Sequence, residues 1–126
     1  MSLRSPLGRV RGLGSAKEGT GHWWAQRLTA VALIPLMLWF VASIAGMAGA
    51  GHAAVLGWVG SPVVAILLIL LIVAVFHHAQ LGLTVVIEDY VHGEMTRLAA
   101  IIVVKLAAFA LAVAAVFAVA RIAFRG

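Results

Sequence analysis

Of the 126 residues in this chain, 64% are hydrophobic and 10% charged, and the mean hydropathy is +1.14. No water-soluble domain hides that much apolar surface, so the composition is that of an integral membrane protein. Four acidic against nine basic residues leave a net charge of +5, but Arg4, Arg9, Arg11 and Lys17 crowd the N-terminus, where they bear on membrane orientation rather than nucleic-acid binding; the lack of cysteine excludes disulfides, thiolate metal sites and thiol catalysis.

Residues 1–21 are rich in Gly, Ser and Arg without apolar periodicity, and read as a flexible cytoplasmic tail. Residues 22–126 form a single membrane domain. Its first apolar run, 28–47, is about 30 Å long as a helix, enough to cross a bilayer. Pro35 inside it predicts a kink that neighbouring helices can accommodate. Ala48-Gly49-Ala50 looks like a signal-peptide cleavage site, but the run before it is too long for such a signal. The acid-poor, Arg-rich tail also has the character of a short mitochondrial presequence. Residues 49–62 read as a Gly-rich connection. A second span covers 63–87, and EDYVHGEMTR (88–97) follows as a polar loop. A third span covers 98–120, closed by Arg121 and Arg125.

The expected fold is therefore an all-α membrane protein of three transmembrane helices. Arg4, Arg9, Arg11, Lys17 and Arg27 share one side with the 88–97 loop and its Arg97, against Arg121 and Arg125 on the other. The positive-inside rule then puts the N-terminus in the cytoplasm and the C-terminus on the opposite side.

The second span carries the unusual chemistry. Ionisable side chains at membrane depth are costly, which makes His77 and His78 functional candidates; the plain alternative is a histidine pair hydrogen-bonded to neighbouring helices. At about 100° per residue, Leu71, Ala74, His78, Gly82, Val85 and Asp89 share one face. Ala74 and Gly82 are small, and a planar macrocycle bound to His78 needs such a surface. His77 falls with Leu70, Val73, Leu81 and Thr84, a face suited to lipid or to another helix. His78 is thus the first choice as an axial haem ligand and His77 the second. Adjacent histidines cannot take both axial positions of one iron, and His22, His52 and His92 lie at the wrong depth. A six-coordinate haem would need its other ligand from a second chain, which this helix would face along Ala74, His78 and Gly82.

Twelve residues on, about 18 Å along a helix, Tyr90 stands at the interface beside Asp89. A phenol and a carboxylate there suit the carbonyl oxygens of a membrane quinone, although a tyrosine at that level also serves as an interfacial anchor. Lys105, in the third span, reads as a snorkelling cation or a partner for an acid of the 88–97 loop. Trp23, Trp24 and Trp58 read as interfacial belt residues.

His78 eleven residues before Asp89-Tyr90, together with GHWWAQRLTAVALIPL (21–36) and its Arg27-Leu28-Thr29-Ala30, resembles the succinate dehydrogenase hydrophobic membrane anchor family. The resemblance covers nearly the whole chain apart from the tail. It implies a subunit of a bacterial inner-membrane complex, or of its mitochondrial inner-membrane counterpart. A flavoprotein subunit would oxidise succinate, an iron–sulfur subunit would carry electrons, and this chain with a second, cytochrome b-type membrane subunit would bind haem b and ubiquinone. By the same resemblance His78 matches the axial ligand, Tyr90 the quinone-bonding tyrosine, Asp89 its acidic neighbour, and Arg27 an arginine near the haem propionates. Rival readings are the anchor of another haem b quinone oxidoreductase, such as a fumarate reductase, or a non-redox scaffold or transporter subunit.

Overall fold

The computed structural model describes residues 5–7 and 16–125. The chain forms α1 (Ala16–Gly46), the short α2 (His52–Gly60), α3 (Pro62–Tyr90) and α4 (Glu94–Arg125). Three stretches are long and apolar enough to cross a bilayer: Thr20–Gly46, Pro62–Tyr90 and Glu94–Arg125. Helices are the expected form, because lipid offers no partner for an open backbone N–H or C=O and a helix satisfies both internally.

Each of the three long helices begins before the apolar run that announced it. Residues 1–4 and 8–15 of the expected tail lie outside the described residues, but from Ala16 the chain is already helical. The expected connection over 49–62 contains α2, which starts after Gly51 in extended conformation. The expected polar loop over 88–97 is a turn of Val91, His92 and Gly93 alone. Glu88, Asp89 and Tyr90 close α3, while Glu94, Met95, Thr96 and Arg97 open α4. Backbone and side-chain bonds fix that turn: Val91 N–H donates to the Ile87 carbonyl (2.9 Å) and Arg97 N–H to the Gly93 carbonyl (2.7 Å). Arg97 Nε donates to the Val91 carbonyl (3.1 Å). Glu94 in the first turn of α4 and Arg125 in its last both suit the helix dipole.

The centre of the fold is α3. It packs against α1 on one side and α4 on the other, and the backbones of α1 and α4 do not approach each other among the described residues. Ala65, Leu68, Leu71, Ala74, Leu81 and Thr84 are buried along it at spacings of mostly three residues, with His78 half-buried in the same row. On α1 the half-buried positions Gln26, Thr29, Leu33, Leu36, Phe40 and Ser43 alternate spacings of three and four, the period of left-handed helix packing. Lipid is as apolar as these side chains, so the helices are held by close packing rather than by escape from water. At one end of the fold, α2 packs against α3 and α4. Its Trp58 stacks on Trp39 of α1, with ring centroids 5.7 Å apart. Gly60 passes close enough to α4 that a Cβ there would sit 3.8 Å from the Ile122 carbonyl.

Leu71 is 6% exposed and Leu38 is 68% exposed. Leu71→Ala is therefore expected to destabilise the helix packing by on the order of 1–2 kcal/mol, a loss of contacts without the water-transfer contribution. Leu38→Ala should leave it unchanged. Denaturant titration in mixed micelles measures both.

Candidate functional site

The two adjacent histidines of α3 meet different surroundings. His78 is half-buried and turned toward α1, where its Nδ1 lies 3.1 Å from Thr29 Oγ1. The threonine hydroxyl has a single proton and a closer carbonyl to give it to, Ala25 O at 2.7 Å one turn back along α1. Such back-bonding is the usual state of a helical threonine. With its proton on that carbonyl, the hydroxyl oxygen would accept from His78 Nδ1–H and leave the imidazole lone pair on Nε2. Nε2 has no hydrogen-bond partner among the described residues.

One turn further along α3, Gly82 meets α1 again. A Cβ on Gly82 would lie 4.0 Å from Gln26 Nε2. The other end of that amide, Gln26 Oε1, is buried without a hydrogen-bond partner. The small-residue face of α3 thus meets α1 of the same chain at His78 and Gly82, and Leu71 and Ala74 are buried. Of the row expected to face a partner, Ala74 is therefore closed off within this chain, whereas His78 and Gly82 stay half-buried. Leu81 and Thr84, placed with His77 on a face suited to lipid or to another helix, are buried, while His77 itself is exposed.

His77 is exposed and opens instead onto a groove of about 770 Å³ between α3 and α4. Gln80 and Lys105 stand near it, and Phe76, Phe109 and Phe117 supply much of its apolar wall. Gln80 is held by Thr84: the Thr84 hydroxyl donates to the Gln80 carbonyl (2.8 Å) and receives Gln80 Nε2 at 3.4 Å. Lys105 makes no ion pair among the described residues, so the expected pairing with an acid at the α3–α4 turn does not form.

Asp89 and Tyr90 close α3, both exposed, with Tyr90 at 76%. Because α3 is one uninterrupted helix, His78 and Tyr90 are separated by about 18 Å along its axis. Arg27 is exposed too, its guanidinium carbon 5.3 Å from the centre of the Trp23 ring. Trp23 meets Trp24 edge to face at 5.0 Å. No group of three or more His, Asp or Glu among the described residues could hold a bare metal ion. What the site offers is one oriented imidazole nitrogen, suited to a group that brings its own equatorial donors.

Thr29, Gln26 and Gln80 gave no sign of a role in the sequence. Thr29 lies inside the quoted 21–36 stretch, but its partner is on another helix, and nothing local marks a threonine that accepts across a helix pair.

A family model described as succinate dehydrogenase/fumarate reductase transmembrane subunit matches residues 1–119. The chain belongs to that family. It is 37% identical over 121 residues to a succinate dehydrogenase hydrophobic membrane anchor subunit of Paracoccus denitrificans, covering 96% of this chain and 93% of the relative. The like-named protein of Rickettsia bellii is 33% identical over 117 residues, 93% and 94% of the two chains. A succinate dehydrogenase membrane anchor subunit of Reclinomonas americana is 31% identical over 103 residues, 73% and 79%. As a succinate dehydrogenase anchor subunit the chain works beside the catalytic subunits in the membrane. Its three apolar helices and its Paracoccus and Rickettsia relatives fit a multi-pass protein of the bacterial inner membrane.

The spacing at Gly82 leads to a specific expectation. A methyl there would make ordinary van der Waals contact with Gln26, so Gly82→Ala should be neutral or stabilising by up to ~1 kcal/mol through helix propensity. Gly82→Leu has to displace Gln26 and should weaken the α1–α3 pair. Micelle unfolding curves of the two variants separate these outcomes.

Proposed function

We propose that this anchor chain shares a haem b with a second, cytochrome b-type membrane subunit and helps bind ubiquinone where electrons from succinate leave the complex. The observation that carries the reading is the setting of His78: half-buried within the span, with Nδ1 3.1 Å from Thr29 Oγ1 and Nε2 without a hydrogen-bond partner among the described residues. Haem proteins commonly ligate iron through such an imidazole. The donor set suits a porphyrin, which supplies four equatorial nitrogens and leaves axial positions open. A haem there would provide a one-electron site inside the membrane. Arg27 would pair with its propionates, and Gly82 would keep the helix thin beside the ligand, where Gln26 already approaches. His77, exposed on the α3–α4 groove, remains the second choice as ligand. The opposite axial ligand would come from the partner subunit, since His77 and His78 point about 100° apart.

At the end of α3, the Tyr90 hydroxyl would donate a hydrogen bond to a quinone carbonyl. Asp89 would pass protons toward a quinone that is taking up electrons. Their exposure leaves both free to line a pocket completed by other subunits. Succinate oxidation would take place on the flavoprotein subunit, with the iron–sulfur subunit docked on the cytoplasmic side, near the α3–α4 turn and the N-terminal basic residues. That arrangement follows the positive-inside topology, N-terminus in and C-terminus out. The family description includes fumarate reductases, so the reverse electron flow is the alternative. The succinate dehydrogenase names of the relatives favour oxidation of succinate.

His78→Ala is expected to remove the b-type spectrum of the purified complex while His77→Ala keeps it. Equal loss in both variants, or loss in His77→Ala alone, would overturn the assignment. Tyr90→Phe should slow quinone reduction several-fold and leave succinate oxidation with a water-soluble acceptor unchanged. A variant with normal quinone turnover and normal inhibitor sensitivity would reduce Tyr90 to an interfacial anchor.

A further inference from the structure

We propose that Thr29 is a positioning residue for the axial histidine: its hydroxyl holds His78 as the Nδ1–H tautomer and sets how strongly Nε2 can donate to iron. The inference rests on the reading of His78 as a haem ligand and extends it to a residue on another helix. A neutral imidazole has one protonated and one free nitrogen, and only the free one can bind a metal. Which is which depends on what the other nitrogen meets. Here it meets Thr29 Oγ1 at 3.1 Å, and that oxygen has its proton turned toward Ala25 O at 2.7 Å, with Gln26 O also within 3.1 Å. Two backbone carbonyls therefore compete for the hydroxyl proton, and the lone pairs remain for Nδ1–H. The opposite tautomer would require the hydroxyl to leave the closer carbonyl, Ala25 O at 2.7 Å, and donate instead across the 3.1 Å contact to Nδ1.

The geometry has a second effect. An acceptor on Nδ1–H draws the proton away from the ring and makes Nε2 a stronger donor, as outer-shell partners do for metal-bound histidines. A stronger donor favours the ferric over the ferrous state. The contact also fixes the ring plane, because one hydrogen bond at Nδ1 restrains rotation about the bond joining ring to side chain. Thr29 is half-buried at the α1–α3 contact, so no water is needed to complete the arrangement. His77, without a hydrogen-bond partner among the described residues, has no equivalent tautomer lock. That difference, together with helix face, separates the two adjacent imidazoles.

The test uses the purified four-subunit complex with Thr29→Val, Thr29→Ala, Thr29→Ser and His78→Ala. In Thr29→Val the retained haem should pass to a scavenging apoprotein about tenfold faster, the lower end of the range for lost outer-shell partners. If that weakening falls on the ferric state alone, the midpoint potential rises by about 59 mV. Thr29→Ala should behave the same way, while Thr29→Ser, which keeps the hydroxyl, should return both readouts toward the native values. Wild-type potential and haem retention in Thr29→Val, with the spectrum lost in His78→Ala, would overturn the role of Thr29 and leave the ligand reading standing. Equal perturbation in Thr29→Val and Thr29→Ser would make Thr29 a packing residue and overturn the proposal as well. A native b-type spectrum in His78→Ala would remove the ligand reading and the proposal together.

Discussion

A polar side chain inside a bilayer has to find its partner within the protein, and His78 finds one in Thr29. That contact joins α1 to α3 by a hydrogen bond between side chains, beside a largely apolar packing of the spans. Lipid surrounding the spans offers no gain from hiding Leu or Val, so association depends on close approach and on the few polar contacts available. Small residues allow the approach: Ala65 and Ala74 are buried on α3, and Gly82 leaves room for Gln26. The position of the helices and the chemical state of the histidine are therefore set by the same interface.

The arrangement around α3 explains how one helix can serve two purposes. With α1 on one side and α4 on the other, neighbouring residues of α3 report to different surroundings. His78 belongs to the α1 side and meets Thr29. His77 belongs to the α4 side and looks onto a groove with Gln80 and Lys105. At the end of the same helix, Asp89 and Tyr90 remain exposed. Rigid helical spacing, rather than a flexible loop, fixes the distance between the buried imidazole and the surface phenol.

Much of this was legible from the sequence because lipid imposes simple rules. Span number followed from apolar length, and helical angle put His77 and His78 on different faces of α3. The helix ends were harder. Glu88, Asp89, Tyr90 and Glu94 read as loop by polarity, but polar residues continue a helix readily once it leaves the apolar layer, and only Val91, His92 and Gly93 break it. Glycine content hid α2 in the same way. Leu81 and Thr84, grouped with His77 on a face for lipid or another helix, lie in one buried row with Leu71 and Ala74. Packed helices coil about each other, so the buried row drifts around α3 relative to a straight 100° wheel. Which neighbour covers which face depends on the order of helices in space, and that order is not written in any one helix. Thr29 was out of reach for this reason.

The adjacency of the two histidines has a consequence for how the chain tolerates change in length. A single residue inserted in α3 between Pro62 and Phe76 turns everything beyond it by about 100° relative to the upstream part of the helix. In most membrane helices such a slip would carry a polar side chain out of its contact and leave nothing in its place. Here the slip carries His77 into the angle and depth that His78 had occupied, opposite Thr29. The doubled imidazole thus makes this stretch of α3 tolerant of a one-residue shift of frame at the Thr29 contact, although Gly82, Asp89 and Tyr90 would each move with the turn.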